Sequence, residues 1–277
     1  MTAFAQRLHA RLQHFGALCV GIDPSRDLLL KAGLPDSADG LFEFGKRVLE
    51  SVDYELSIVK PQVAYFERHG SKGLAALEQL NALGRTHDVL MILDAKRGDI
   101  DSTGEAYGEA FFGLGSPLFT DAITVSAYMG LPALDKLIAI ATANGGGVFP
   151  VVRSSNIEGQ ALQHARMADG RTVADTLCAE ITALNRKFAG DVLGPIGAVV
   201  GATCDDASSI VDQMPHSYIL APGIGAQGAT FDDVRRRMPN ARGRILASVS
   251  RAILKGGTDK TAIGATIRAL QVDARGL

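Results

Sequence analysis

Val89-Leu-Met-Ile-Leu93-Asp94-Ala95-Lys96-Arg97-Gly98-Asp99-Ile100 is the stretch on which the reading of this chain turns. Five consecutive apolar residues form a short run of the kind buried on both faces in a parallel sheet. Side chains two apart on an extended chain point the same way, so Asp94 and Lys96 are expected on one face with Ala95 on the other. Asp99 follows just past the strand end. An acid and a base at the mouth of a buried strand are costly unless paired and used.

Runs of the same type recur along the whole sequence, at 18–22, 56–59, 89–93, 122–125, 148–152, 196–200, 218–220 and 245–249. Between them lie stretches with helical spacing, such as 73–83 and 172–181. Eight alternating strand and helix units imply parallel pairing. They predict a (β/α)8 TIM barrel of the α/β class, as one domain over residues 1–277. A doubly wound open sheet is the competing arrangement. The barrel is favoured because Asp23, Lys60, Asp94, Lys96, Ser126, Arg153 and Gly223 all fall at or just beyond strand ends, which a barrel gathers on one face. The connection from Arg153 to Pro195 is the longest and is expected to carry an extra loop over that face.

Composition narrows the function classes. The 277 residues are 47% hydrophobic and 21% charged, with a net charge of −2, which gives no basic field for nucleic acid. Arg235-Arg236-Arg237, with Arg242 and Arg244 nearby, reads as a solvated helix end and turn. Cys19, Cys178 and Cys204 have no metal-like spacing. Their odd number, with Cys19 and Cys204 in or beside apolar runs, suggests buried thiols in a reducing compartment. The segment from Met1 to His9 resembles an amphipathic helix, not a signal peptide, and no apolar run reaches membrane-spanning length. A cytoplasmic location is expected.

Gly223-Ile-Gly225-Ala-Gln227-Gly228 fits the dinucleotide pattern G-x-G-x-x-G, but it follows the seventh strand and not the first. In a barrel the loops after strands seven and eight commonly hold a phosphate on exposed backbone N–H groups. Gln227 adds a neutral donor, and Arg251 just after the eighth strand adds a cation. Asp23 reads equally as a site residue or as a helix cap. Lys60 follows an apolar run and precedes Pro61, which argues against a merely solvated side chain. The six histidines are scattered and form no catalytic arrangement. Asp23, Asp94 and Asp99 would suit Mg2+, but the two nearby lysines compete with a cation, so no metal is expected.

These residues together resemble the orotidine 5'-phosphate decarboxylase family. The central element Asp94-x-Lys96-x-x-Asp99-Ile100-x-x-Thr103 is similar to that family's signature, and the likeness runs from Gly21-Ile-Asp23 to Arg251. The wording and length are similar to the longer bacterial branch, type 2. Ala229 and Ser154-Ser155-Asn156-Ile157 are small departures from it.

The resemblance implies decarboxylation of orotidine 5'-monophosphate to uridine 5'-monophosphate in pyrimidine biosynthesis, without a cofactor. It implies that Lys96 protonates C6, with Asp94 beside the substrate carboxylate and Lys60 and Asp99 completing an alternating charge array. Asp23 and Lys60 would hold ribose hydroxyls, and Ser126 the pyrimidine. Pro222, Gly225, Gln227, Gly228 and Arg251 would surround the phosphate, and Arg153 and Asn156 belong to the fifth loop. Asp99, Ile100 and Thr103 would reach the neighbouring subunit's site in a homodimer. Two other readings stand beside this one. They are an Mg-dependent sugar-phosphate decarboxylase or aldolase on the same barrel, and a non-catalytic nucleotide-phosphate binding protein.

Overall fold

The computed structural model describes residues 3–188, 193–225 and 227–277. Eight strands, β1 (Leu18–Ile22), β2 (Ile58–Pro61), β3 (Leu90–Arg97), β4 (Ala122–Val125), β5 (Gly147–Arg153), β6 (Ala198–Val200), β7 (Ile219–Ala221) and β8 (Ile245–Val249), close into a barrel in chain order. Every neighbouring pair is parallel, including β1 with β8. This is the (β/α)8 architecture, and an open sheet is ruled out by the β1–β8 pairing. Helices such as Ala38–Glu50, Gly70–Thr86, Asp101–Phe112 and Val173–Asn185 return the chain between strands, and Lys260–Asp273 follows β8.

Two apolar layers hold it together. The larger lies between the strands and the helix ring and includes Val20, Val59, Met91, Ile123, Val148, Val200 and Val249. The smaller fills the barrel itself with Cys19, Ile58, Leu90, Ile92, Ala122, Phe149, Val199, Leu220 and Leu246. Successive strand residues enter the two layers alternately, as a pleated sheet requires.

The lower end of the barrel is stoppered by the N-terminal helix Phe4–Phe15. Phe4 meets the Phe149 ring edge-on at a centroid distance of 5.9 Å, and Tyr218 Oη donates to the Ala5 carbonyl at 3.3 Å. Phe4, Phe149 and Tyr218 are all fully buried. Gly147 is needed for this plug, because a Cβ there would sit 2.4 Å from the Phe4 ring.

The long connection after β5 carries a short helix, Gly159–Gln163, an isolated antiparallel bridge between Arg166 and Thr172, and the helix Val173–Asn185. Its residues 189–192 lie outside the described residues, as does Ala226 of the glycine-rich loop. Arg235, Arg236 and Arg237 form the last turn of the helix Phe231–Arg237 and pair with Asp232, Asp233 and Asp205. Arg244 departs from the reading of that cluster as solvated. It is buried, and its guanidinium donates to the carbonyls of Val211, Met214 and Ser217, tying β8 to the helix before β7.

Candidate active site

Asp94 is the centre of the polar end of the barrel. Its Oδ2 accepts from Lys60 Nζ at 2.9 Å and from Gln62 Nε2 at 3.0 Å. Its Oδ1 accepts from Lys96 Nζ at 2.5 Å and from Thr124 Oγ1 at 2.8 Å. The carboxylate is thus shared by two lysines and two neutral donors from three strands and the residue after β2. Burial works to raise its pKa, but Lys60 and Lys96 together outweigh burial and hold it well below the usual carboxylate range. Lys60 is 5% exposed. Burial alone would lower its pKa, and Asp94 and then Asp23 overcome this and raise it above the ordinary lysine value. Both groups are therefore charged over the whole physiological range.

Lys96 is placed by a backbone irregularity and not by simple alternation. Leu93 pairs with Ile123 and Arg97 with Val125, so four steps on β3 span two on β4. Asp94, Ala95 and Lys96 occupy this bulge, and Lys96 has φ +46. A left-handed backbone costs a non-glycine residue roughly 1–2 kcal/mol. Such bulges re-aim side chains and are common beside active sites. Lys96 is half exposed, with its ammonium returned over Asp94.

The cavity above this array has a volume of about 210 Å3 and is lined by Asp23, Lys60, Gln62, Asp94, Pro222, Gly223, Ile224, Gln227, Ser248, Ser250 and Arg251. Six of the sequence-predicted residues therefore converge: Asp23, Lys60, Asp94, Pro222, Gln227 and Arg251. Asp23 is free of the capping role, since Ser25 caps the helix Arg26–Lys31 by accepting from Leu28 N. Asp23 Oδ1 is buried without a hydrogen-bond partner among the described residues, which leaves an acceptor for a ligand hydroxyl. A larger cleft, about 490 Å3, lies at the other end of the barrel beside Leu12, His14 and Arg275, and contains no comparable acid–base cluster.

The glycine-rich loop turns at Gly223, Gly225 and Gly228, all with positive φ, and folds back through Gly225 N donating to the Ala229 carbonyl at 2.8 Å. Gln227 Oε1 accepts from Ser155 Oγ at 2.8 Å, which joins the loops after β5 and β7 across the mouth and leaves the Gln227 amide protons for a ligand. Gly225 and Gly228 shape this loop without lining the cavity.

Other predicted residues lie elsewhere. Arg153 is 3% exposed, with Nε bound to Asp206 and Nη1 donating to Gln163 Oε1 at 2.9 Å. Asn156 accepts from Ser154 Oγ and donates to Glu158. Both organise the fifth loop instead of facing the cavity. Ser126 is exposed at the mouth, and its backbone N–H donates to Arg97 O at 2.8 Å. Asp99, Ile100 and Thr103 lead into the helix Asp101–Phe112, away from the cavity of their own chain, and Ile100 is 48% exposed. Gln62, Thr124, Ser248 and Ser250 are site residues the sequence reading passed over. Gln62, Ser248 and Ser250 each lie two positions along the chain from another lining residue, and Thr124 two positions from Ala122 of the barrel interior, the spacing by which inward-facing positions are found.

The sequence model of the Orotidine 5'-phosphate decarboxylase / HUMPS family matches residues 16–266. The orotidine 5'-phosphate decarboxylase of Myxococcus xanthus is 44% identical over 261 residues, covering 94% of this chain and 91% of the relative. That of Streptomyces coelicolor is 43% identical, covering 99% and 98%. Among solved structures, a Streptomyces avermitilis protein assigned to the same enzyme superposes with a TM-score of 0.94 at 42% identity, covering 99% of this chain and 95% of that one. Leishmania donovani OMP decarboxylase superposes with a TM-score of 0.80 at 28% identity, covering 99% of each. A closed barrel whose polar end carries Asp94 between two lysines, matched over nearly its full length, makes this chain a member of the Orotidine 5'-phosphate decarboxylase / HUMPS family.

Proposed function

We infer that this chain decarboxylates orotidine 5'-monophosphate to uridine 5'-monophosphate with no cofactor. The observation that carries the reading is a cavity lined by Lys60 and Asp94 together with Gln227 and Arg251, with the Lys96 ammonium, itself outside the lining, held on Asp94. The relatives named above support the substrate. In this reading the phosphate lies against Arg251, Gln227 and the backbone of the glycine-rich loop. The ribose hydroxyls meet Asp23 and Lys60, and Ser126 contacts the pyrimidine.

The chemistry follows from the charge order. The C6–carboxylate bond breaks, carbon dioxide leaves, and the electron pair stays on C6. A fixed ammonium aimed at C6 stabilises that carbanion and then donates its proton, after which Lys96 is reprotonated from solvent. Asp94 holds Lys96 in place and lies beside the departing carboxylate. Contacts at phosphate and ribose supply binding energy remote from the reacting bond, which closes the mouth loops and excludes water.

The active unit is a homodimer in which Asp99, Ile100 and Thr103 complete the partner's site. Exposed Ile100, Tyr128 and Met129, on adjacent loops after β3 and β4, support an apolar interface there. Among the described residues no helix is long and apolar enough to cross a membrane, and all three cysteines are buried and unpaired, which supports a cytoplasmic setting.

The direct test is the loss of pyrimidine absorbance on mixing the purified protein with orotidine 5'-monophosphate in excess chelator. Turnover in chelator is expected. Activity abolished by chelator and restored by Mg2+ would instead favour sugar-phosphate chemistry, and absence of turnover under all conditions a binding protein.

A further inference from the structure

We propose that Thr124 is a positioning residue for Lys96, acting through the bulge in β3. The inference rests on Lys96 being the proton donor. Thr124 is the one β4 residue opposite the bulge, between the Leu93–Ile123 and Arg97–Val125 pairs. The extra residues on β3 deprive the Lys96 N–H of a ladder carbonyl. Thr124 Oγ1 takes the carbonyl's place and accepts that N–H at 3.0 Å. The same hydroxyl donates to Asp94 Oδ1 at 2.8 Å.

Both directions are fixed by chemistry. An amide N–H has no lone pair, so the hydroxyl must accept from it. Its single proton is then left for the ionised carboxylate. One side chain thereby sets two things at once: the left-handed backbone from which Lys96 departs, and the carboxylate to which the Lys96 ammonium returns. Thr124 is 1% exposed and does not line the cavity, so its effect reaches the reaction only through those two groups. Its γ-methyl restricts χ1, which keeps the hydroxyl in the bridging position.

Valine has the same shape and no hydroxyl. Serine has the hydroxyl and no methyl. An ammonium displaced by about 1 Å from a reacting carbon loses on the order of 100-fold in rate. Thr124→Val is therefore expected to lower kcat by about 10- to 100-fold, with the inhibition constant of uridine 5'-monophosphate changed by no more than about twofold, because the product carries no developing charge. Thr124→Ser should restore most of the loss. Lys96→Ala is assayed beside them.

A Thr124→Val enzyme with wild-type kcat, alongside an inactive Lys96→Ala, overturns the positioning role and leaves the proton-donor reading standing. Serine as impaired as valine also overturns it, since the methyl packing would then be what matters. Near-normal turnover in Lys96→Ala sinks both readings. If Thr124→Val does not fold, Thr124→Ala removes the hydroxyl without setting a methyl against the carboxylate, and the same drop in kcat with rescue by serine is expected. Wild-type kcat in Thr124→Ala refutes the role.

Discussion

Replacing Asp94 by Asn keeps the shape of the side chain and removes the charge on which two lysines converge. Lys60 is the costly partner, being almost fully buried and 2.9 Å from the carboxylate. Breaking a buried pair by removing one member typically costs 3–5 kcal/mol, because the other charge is left uncompensated. Asp23 also acts on Lys60 and relieves part of this, so the lower end applies, about 3 kcal/mol. Lys96 is half exposed and swings into solvent, so its lost pair adds less than about 1 kcal/mol. For a chain of this length the melting temperature should fall by about 6 to 12 °C at pH 7.

The pH dependence makes the argument specific. In the wild type Lys60 is raised above its ordinary 10.5, so the stability it contributes is fully present below that pH and is lost only as pH rises through the higher folded value. Asp94 is lowered from 3.8, so its contribution is present above that pH and is lost as pH falls through the folded value. Between those limits the pair leaves stability flat. In Asp94→Asn burial, which lowers the Lys60 pKa, is opposed chiefly by Asp23 and is expected to prevail. The native variant then binds fewer protons than the unfolded chain, and its stability rises with pH towards 10.5. Thermal unfolding of both proteins from pH 7 to pH 10 should show the gap narrowing. A gap below about 1 kcal/mol at pH 7, or one that stays constant, would refute the claim that Asp94 is the counter-charge of Lys60.

Lys96→Ala should collapse turnover while leaving uridine 5'-monophosphate affinity largely intact, since the ammonium acts on charge absent from the product. Near wild-type turnover would remove Lys96 from the proton-donor role. Arg251→Ala should raise the apparent KM more than it lowers kcat, as expected for a phosphate contact, and kinetics unchanged at all substrate concentrations would reject it. On the shared-site dimer proposed above, Lys96→Ala and Asp99→Ala, each inactive, should recover about a quarter of wild-type activity after subunit exchange, because half of the re-assorted dimers would carry one intact composite site. No recovery despite exchange shown by differently tagged chains would place Asp99 in its own chain's site, or make the active unit a monomer.

The barrel was legible because its strands are short apolar runs separated by helical ones. The bounds of β1, β4 and β8 agree with the sequence reading residue for residue. β3 does not: it continues to Arg97 instead of ending at Leu93. A polar extension looks like a loop when hydrophobicity alone marks the strand, and the bulge that accommodates it leaves no compositional trace. Asp94 and Lys96 do meet, but through that bulge and a positive φ, not through the alternation expected for them. Arg153 ends β5, a position that in a barrel faces the mouth. Its partner Asp206 lies 53 residues away, a pairing sequence spacing does not reveal. Arg244 is indistinguishable in sequence from its solvated neighbours for the same reason, since its carbonyl partners Val211, Met214 and Ser217 are remote in the chain. Thr124 and Gln62 carry no signal in the sequence, because a threonine in a strand and a glutamine after a proline look ordinary until the strands are set side by side.

The barrel interior changes character along its axis, and that gradient accounts for the division of labour among the charged residues. At the bottom are Phe4, Phe149 and Tyr218, then a layer with Cys19, Ile58, Ile92 and Ala122. Burial there is strong enough to push the Cys19 thiol up to about 12 despite the nearby Lys60 ammonium. Two residues further along each strand come Lys60, Asp94 and Thr124, still buried but mutually bonded. Lys96 lies above them, half exposed. On the proposed reaction Lys96 is recharged from water once per turnover, which suits that upper layer. A carboxylate that must stay ionised while holding it belongs below, where low solvent access strengthens its attraction to both lysines. Exchanging the layers would leave the donor cut off from solvent and the carboxylate screened by it. The bulge in β3 lets two residues of one strand, only two apart in sequence, occupy both layers with their charged ends in contact.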